Sequence, residues 1–291
     1  MRLSVENSEI REKFGDFKAI EIIKEAGFDA LDYTFCSVEE EFCLKDDYRE
    51  YAQKLRAHMD KVGIVCNQAH APFRLTRFEA IDLSEPHYLE IVHSIEAAAI
   101  LGAEQIIVHP IYIPVGETLD GVTYEEHNRR FYKSLEPYCK KSGIKVAVEN
   151  MFYLDEKRKH RRGMLHTMDE IRSMIESIDS PYFTACVDIG HLAITSSLEP
   201  ERFIEDMDPS IVRALHVHDN DYTFDNHQLP FIFGINWVNV MKALKKAKYE
   251  GDLTYEICTF LKRFPAELSA DALKMAHSVG RYLISVFDSE E

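Results

Sequence analysis

The sequence lacks the features that mark membrane-spanning, secreted or multidomain chains. No apolar run approaches the roughly 18 residues needed to span a bilayer, and residues 1–7 do not have the profile of a signal peptide. No low-complexity stretch divides the 291 residues. These absences predict one globular domain over residues 1–291, located in the cytoplasm and without a membrane partner.

Cysteine is present but shows no disulfide or thiolate-ligand pattern. The six cysteines, at positions 36, 43, 66, 139, 186 and 258, include no CxxC pair and no regular spacing. Several of them lie inside apolar segments, where a free thiol behaves as a small hydrophobic group. The sequence therefore predicts free cysteines in a reducing compartment.

Positive charge is also scarce. Lys and Arg number 34 against 50 Asp and Glu, which gives a formal net charge of −16. Proteins that bind nucleic acid neutralise phosphates with clustered Lys and Arg, so this balance argues against a nucleic-acid partner. The exception is the basic run at residues 157–162, which we interpret as a solvated loop, with a site for a phosphate-bearing ligand as the alternative.

What the sequence does contain is a regular alternation of apolar and amphipathic segments. Strands are predicted at residues 2–5, 30–34, 64–70, 105–109, 145–149, 181–188, 213–217 and 252–257. Helices are predicted near residues 17–26, 47–61, 85–101, 124–141, 168–178, 200–207, 237–247 and 266–287. This alternation predicts parallel strands with right-handed crossovers. We favour an α/β fold, a single-domain (β/α)8 TIM barrel, over a doubly wound open sheet.

Six of the predicted strands end in side chains that bind metals or transfer protons. These residues are His70, His109, Glu149, Asp188, His216 and Glu256. In a barrel such strand ends converge on one mouth, where barrel enzymes place their catalytic groups. Acidic and imidazole groups that converge without a cation would repel one another or stay protonated. The pattern therefore predicts a shared metal centre.

We place the metal on four of these residues, Glu149, Asp188, His216 and Glu256. The mixed oxygen and nitrogen set suits Mn²⁺, Zn²⁺, Co²⁺ or Mg²⁺ and does not choose between them. A cation there could hold two adjacent substrate oxygens and stabilise the charge of an enediolate. Glu149 and Glu256, binding from opposite sides, could exchange a proton with the substrate carbon.

The loop after the seventh strand carries further polar and apolar groups. His218, Asp225 and His227 follow His216 closely along the chain, and the apolar tip 231–233 follows them. The tip could cap the site or form a subunit contact in a homo-oligomer. Aromatic residues on the mouth loops could form an apolar wall against a sugar ring, with loop packing as the alternative. They are Phe73, Tyr112, Phe152, Tyr222, Phe231 and Trp237.

Five short motifs occur in a fixed order along the second half of the chain. They are Val-Glu-Asn at 148–150, Val-Asp-Ile-Gly-His at 187–191, His-Val-His-Asp at 216–219, Asp-Asn-His at 225–227 and Tyr-Glu-Ile at 255–257. In this order and spacing the chain resembles the xylose-isomerase-like TIM-barrel superfamily. That superfamily includes sugar phosphate isomerase/epimerases, ketose 3-epimerases, inosose dehydratases and AP endonucleases of the endonuclease IV type.

The resemblance implies different ligand sets in different branches. In ketose 3-epimerases, the positions matching Glu149, Asp188, His216 and Glu256 bind one divalent metal and the two glutamates transfer the proton. The position matching His191 contacts substrate, and an arginine stands where this chain has Tyr222. The AP endonuclease branch binds three zinc ions through nine ligands. Residues that match all nine are His70, His109, Glu149, Asp188, His191, His216, Asp225, His227 and Glu256.

From the residues and the resemblance together, we expect a metal-dependent isomerase or epimerase that acts on a sugar or sugar phosphate. Its partner would be a small sugar or polyol, bound by residues around the metal. The predicted substrate-binding residues are His70, His109, His191, His218, Asp225 and His227. The alternatives are an inosose dehydratase-like lyase and an endonuclease IV-like AP endonuclease with three zinc ions. The acidic charge of the chain argues against the nuclease.

Overall fold

Eight parallel strands form the wall of a barrel, and helices surround it. The computed structural model describes residues 1–36, 42–73, 81–111, 122–154, 161–195 and 199–289. Most of the basic run at residues 157–162 lies outside these ranges. The strands are β1 Leu3–Glu6, β2 Ala30–Thr34, β3 Val65–His70, β4 Gln105–Val108, β5 Lys145–Glu149, β6 Met151–Leu154, β7 Arg161–Met164, β8 Phe183–Asp188, β9 Val212–His216 and β10 Leu253–Tyr255.

Helices follow the barrel strands in the order that the sequence predicts. They are α1 Ser8–Phe14, α2 Asp16–Glu25, α3 Tyr48–Val62, α4 Pro86–Leu101, α5 Tyr124–Ser142, α6 Met168–Ile178, α7 Ile189–Thr195, α8 Pro200–Glu205, α9 Trp237–Lys246, α10 Cys258–Lys262 and α11 Ser269–Asp288. Local chemistry fixes several of their ends: the Thr167 hydroxyl accepts a hydrogen bond from Glu170 N at the start of α6. Among the described residues, no helix is long and apolar enough to cross a membrane.

The strand order shows how the barrel closes. The sheet runs β10-β1-β2-β3-β4-β5-β8-β9, with neighbours parallel. Its two ends meet through a bridge between Val217 and Tyr255, in which Val217 N donates to Thr254 O at 2.9 Å and Glu256 N donates to Val217 O at 3.2 Å. The predicted (β/α)8 barrel is therefore confirmed, and the open-sheet alternative is excluded.

The segment after β5 differs from its prediction. The sequence predicts no strand between residues 149 and 181, whereas β6 and β7 form an antiparallel hairpin with Met151 opposite Met164. These two methionines pack with Phe73 and Tyr124 in a small apolar cluster beside the barrel mouth. Met151 and Met164 thus anchor the open end of the hairpin against the barrel.

The inside of the barrel is divided between apolar and polar side chains. Ile107, Ala147, Cys186 and Ala214, from β4, β5, β8 and β9, form a buried apolar cluster. Hydrogen bonds link the polar side chains on the other four strands, which are Ser4, Asp32, Asn67, Gln68 and Thr254. TIM-barrel interiors are usually filled by branched apolar residues, so a polar half beneath the mouth is a distinctive feature of this chain.

Candidate metal centre

Side chains alternate between the two faces of a strand, and this alternation places the candidate metal ligands at the mouth of the barrel. Residues two apart on a strand share a face, so each mouth residue follows an interior residue by two positions. Glu149 follows Ala147 in this way, and His216 follows Ala214. The same two-residue spacing on the other strands places further polar residues at the mouth, which are Glu6, Thr34, His70, His109, Asp188 and Glu256. The barrel therefore assembles the cluster from residues far apart in sequence.

A central group of four side chains lies at the floor of the mouth. Glu149, Asp188, His216 and Glu256 each offer one donor atom, and these atoms lie within 4.8 Å of one another. His216 Nδ1 is 2.8 Å from Glu149 Oε1, 3.5 Å from Glu256 Oε2 and 3.9 Å from Asp188 Oδ2. Within the described part of the chain, the buried atom Asp188 Oδ2 has no hydrogen-bond partner. A buried acceptor without a donor fits a bound cation.

A second group adjoins the first on the side of β3 and β4. His70, His109 and Glu149 share it, with His109 Nε2 at 2.7 Å from Glu149 Oε2 and at 2.9 Å from His70 Nε2. His70 Nδ1 lies 3.0 Å from Ala71 O, so a hydrogen bond to this carbonyl puts the proton on Nδ1 and leaves Nε2 as a lone-pair donor. Glu149 therefore belongs both to the central group and to this second group.

A third group lies on the opposite side and consists of His191, His218, Asp225 and His227. His191 Nδ1 is 2.9 Å from Asn150 O and His227 Nδ1 is 3.0 Å from Glu256 O, and donation to these carbonyls leaves both Nε2 atoms free to bind. The two Nε2 atoms lie 3.7 Å and 2.9 Å from Asp225 Oδ2. His218 Nε2, 3.1 Å from Asp188 Oδ1, links this group to the central one.

The structure thus brings all ten predicted site residues into one continuous cluster. The four predicted metal ligands form the central group, and the six predicted substrate-binding residues form the two groups beside it. His218 is completely buried, whereas His70, His109, His191, Asp225 and His227 line the cavity. Which of these residues bind metal and which bind substrate stays a prediction.

The charges in the cluster perturb one another strongly. Burial raises the pKa of Glu149, but the neighbouring His216 and His109 outweigh this effect and hold that pKa well below its ordinary value. Burial lowers the pKa of His191, yet Asp188 and Asp225 raise it to about 10. A protonated His191 therefore offsets part of the carboxylate charge in the cluster, which is a role that a bound cation would take over.

A cavity of about 750 Å³ opens above the cluster, a size typical of small-molecule sites. Its apolar walls include Phe73 and Phe152, whose rings lie 4.2 Å from that of His109 and 5.1 Å from that of His191. Tyr222, Phe231 and Trp237 are absent from the described lining, and Tyr112 lies outside the described residues. The apolar tip 231–233 is exposed away from this lining, so its predicted subunit contact stays a prediction.

Glu6 and Thr34 are mouth residues that sequence reasoning missed, and Glu6 is the ionisable one. Glu6 ends β1, lines the cavity and is only 6% exposed, and burial raises its pKa to about 7. Its position in the strand could have predicted this, because Glu6 follows Ser4 by two residues just as Glu256 follows Thr254. Cys36, Cys258 and Lys262 also line the cavity and were not predicted, since they lie on loops or a short helix rather than at strand ends.

Comparison with known proteins identifies the family. The family model described as "Xylose isomerase-like TIM barrel" matches residues 20–278. The chain belongs to this family. An uncharacterized protein of Methanocaldococcus jannaschii is 30% identical over 172 residues, which are 56% of this chain and 54% of that protein. The match thus spans about half the length of that relative.

Solved structures of this xylose isomerase-like fold superpose over nearly the whole chain. A D-tagatose 3-epimerase-like protein gives a TM-score of 0.69 at 23% identity, covering 98% of this chain and 100% of the other. The crystal structure of the IOLI protein with a binding zinc atom gives a TM-score of 0.70 at 15% identity, covering 100% of both chains. At these identities the likeness shows the fold.

The absence of a side chain at Gly190 allows the His218 ring of the third group to pack against the backbone of α7. A Cβ atom at this position would lie 2.0 Å from Cε1 of His218, whose ring is completely buried and stacks on His227 with centroids 4.2 Å apart. The ring cannot yield without disturbing its neighbours. We therefore expect Gly190→Ala to lower the free energy of unfolding by about 1–3 kcal/mol, measured by urea denaturation, and to weaken metal binding.

Gly143→Ala is the matched control for this substitution. Gly143 ends α5 with φ +69°, and its added Cβ would meet no atom within 4 Å. The control should cost about 1 kcal/mol through backbone strain alone and leave metal affinity unchanged. Equal metal affinity in the two variants would contradict the packing argument.

Proposed function

We propose that the protein is a divalent-metal-dependent isomerase or epimerase that acts on a sugar or a related polyol by proton transfer. One observation carries the proposal: two glutamates, an aspartate and a histidine with donor atoms within 4.8 Å of one another adjoin a cavity of about 750 Å³, whose lining includes Glu256 of this group and the neighbouring His70 and His109. Membership of the xylose isomerase-like family and the epimerase-like fold neighbour support the same choice.

Glu149, Asp188, His216 and Glu256 would hold the ion. Their oxygen and nitrogen donors fit Mn²⁺, Co²⁺, Zn²⁺ or Mg²⁺. When bound, a divalent cation supplies Lewis-acid stabilisation of negative charge on two adjacent substrate oxygens.

The two glutamates would move the proton. Glu149 comes from β5 and Glu256 from the end of β10, so they reach the central group from different strands. A substrate carbon held between them could lose a proton to one carboxylate and regain a proton from the other on the opposite face, through an enediolate. The low pKa of Glu149 keeps it ionised at neutral pH, as a proton acceptor must be.

The rest of the cavity suits a polyhydroxylated ligand. Phe73 and Phe152 offer apolar surface to the CH face of a sugar. Imidazole nitrogens of His70, His109 and His191 line the same cavity and would bind hydroxyl groups.

The second candidate is a three-metal phosphodiesterase of the AP endonuclease type. The observation that favours it is the presence of three adjoining donor groups, which contain all nine matching ligand residues. The net charge of −16 disfavours it, because a nuclease gains much of its affinity from cations that contact phosphates.

Two measurements on the purified full chain separate these functions. About one Mn, Co, Zn or Mg ion per chain by elemental analysis, with exchange of a carbon-bound proton of ketoses in deuterated water seen by NMR, is expected for the isomerase. About three zinc ions per chain and cleavage of an abasic-site oligonucleotide would favour the nuclease. Loss of water from the substrate in the same spectra would identify a dehydratase. A protein that binds no divalent metal would overturn the proposal.

A further inference from the structure

A buried carboxylate lies beneath the central group. Asp32, on β2, is completely buried, and its Oδ2 lies 3.5 Å from Nε2 of His216. Within the described ranges, Asp32 Oδ1 and His216 Nε2 lack a hydrogen-bond partner. Burying a carboxylate without compensating interactions destabilises the folded state. The position of Asp32, next to the His216 nitrogen that faces away from the central group, therefore indicates a functional role.

A chain of hydrogen bonds inside the barrel leads to this carboxylate. Asn67 Nδ2 donates to Thr254 Oγ1 at 3.2 Å, and the Thr254 hydroxyl donates to Gln68 Oε1 at 3.3 Å. Gln68 Nε2 then donates to Asp32 Oδ2 at 2.8 Å. All three bonds run in the same direction, which lets each polarise the next. The chain fixes the position of the Asp32 side chain.

A local irregularity of the sheet makes this chain possible. The register between β2 and β3 pairs Leu31 with Cys66 but Asp32 with Gln68, so Asn67 is an extra residue in β3. Such a bulge re-aims side chains. As a result, the consecutive residues Asn67 and Gln68 both contact the polar half of the interior.

We propose that Asp32 is a positioning residue that orients His216 for metal binding. The proposal rests on the proposed function, in which His216 Nδ1 is a ligand. Nδ1 faces Glu149 and Glu256, and Nε2 faces Asp32. A carboxylate that accepts a hydrogen bond from Nε2–H fixes the tautomer with the lone pair on Nδ1 and holds the ring at one angle, as outer partners of metal-bound histidines generally do.

Asp32→Asn in the full chain tests this role, with Co²⁺ as the probe. Asparagine keeps the size of the side chain and removes the charge. We expect the Co²⁺ affinity of metal-stripped protein to fall about 10–100-fold, measured by competition with a chromophoric chelator. The visible absorption bands of bound Co²⁺ should also shift, because the angle and basicity of the His216 ring change. A merely structural loss of packing would leave that spectrum unmoved.

Asp252→Asn is the matched control. Asp252 accepts from Asn67 Nδ2 at 3.0 Å at the opposite end of the same network and pairs with Arg2 at 2.9 Å, but it does not contact His216. The control should keep the wild-type Co²⁺ affinity and spectrum even if its stability falls. Equal losses of affinity in both aspartate variants would overturn the positioning role.

The outcomes separate this inference from the proposed function. A wild-type protein that binds no Co²⁺ would overturn both. Wild-type binding with an unchanged affinity and spectrum in Asp32→Asn would overturn the positioning role alone. Should Asp32→Asn fail to fold, Gln68→Met removes the donor to Asp32 while leaving both the carboxylate and His216. Its Co²⁺ affinity should then fall severalfold, and wild-type affinity in this variant would equally overturn the inference.

Discussion

Replacing Glu149 with glutamine should reduce turnover by about 10⁴-fold and release the metal. Glu149 is completely buried and is shared by the central and the second donor group, with Oε1 at 2.8 Å from His216 Nδ1 and Oε2 at 2.7 Å from His109 Nε2. Glutamine has the same shape but no charge, and it cannot take up a proton from carbon at neutral pH. The measurement is the rate of solvent-deuterium exchange into a ketose, with metal content determined on the same sample.

The same substitution at an exposed glutamate is the control, because it removes one negative charge without changing the candidate site. Glu250 has a side chain that is 76% exposed and lies 3.6 Å from Arg213 on the outside of the barrel. Glu250→Gln should keep wild-type turnover and metal content. Retention of more than a small fraction of activity by Glu149→Gln would remove Glu149 from the mechanism.

Removing the metal is expected to lower the stability of the protein by several kcal/mol. An ion that binds the folded chain alone stabilises it by about 2.7 kcal/mol at 100 times its dissociation constant and by about 4.1 kcal/mol at 1,000 times. Thermal unfolding with and without a chelator measures the effect as a fall in Tm. The Glu149→Gln variant supplies the control, because its Tm should not respond to the chelator. A wild-type Tm that is indifferent to chelator and to added metal would contradict the metal centre.

The same cluster predicts the direction of the pH dependence of metal binding. Burial lowers the pKa of His216, but its surroundings, Glu149 and Glu256 included, raise it well above its ordinary value, so a proton on this ring competes with a bound metal. Metal must displace that proton, so affinity should rise about tenfold per pH unit for each proton released. Calorimetry in buffers of different ionisation enthalpy counts these protons.

Most strands and helices of the barrel could be predicted from the sequence, because apolar strand segments that end in polar residues alternate regularly with amphipathic helical segments. β2, with its run Ala30-Leu31-Asp32-Tyr33-Thr34, and β5, with Lys145-Val146-Ala147-Val148-Glu149, have the predicted bounds. The helices α1, α7 and α10 were missed because seven, seven and five residues are too few for a helical period to emerge.

The sequence predicted which residues form the candidate site, but not the distances between them. His70 and Glu149 could be assigned to one mouth by their strand ends, yet nothing in the chain gives the distances between residues on different strands. The role of Asp32 beneath the site was not predicted, although Asp32 is the one charged residue of the buried strand β2. The bulge at Asn67 depends on pairing between β2 and β3 and has no local signature.

The closure of the barrel gives the proposed ion a mechanical consequence. Each other pair of neighbouring strands is joined by a ladder of at least three residue pairs, whereas β9 and β10 meet through the single bridge of Val217 and Tyr255. His216 and Glu256 lie on the two sides of this seam. A cation bound by both residues would hold β9 and β10 together. Amide hydrogen exchange along these two strands should therefore slow when the ion binds.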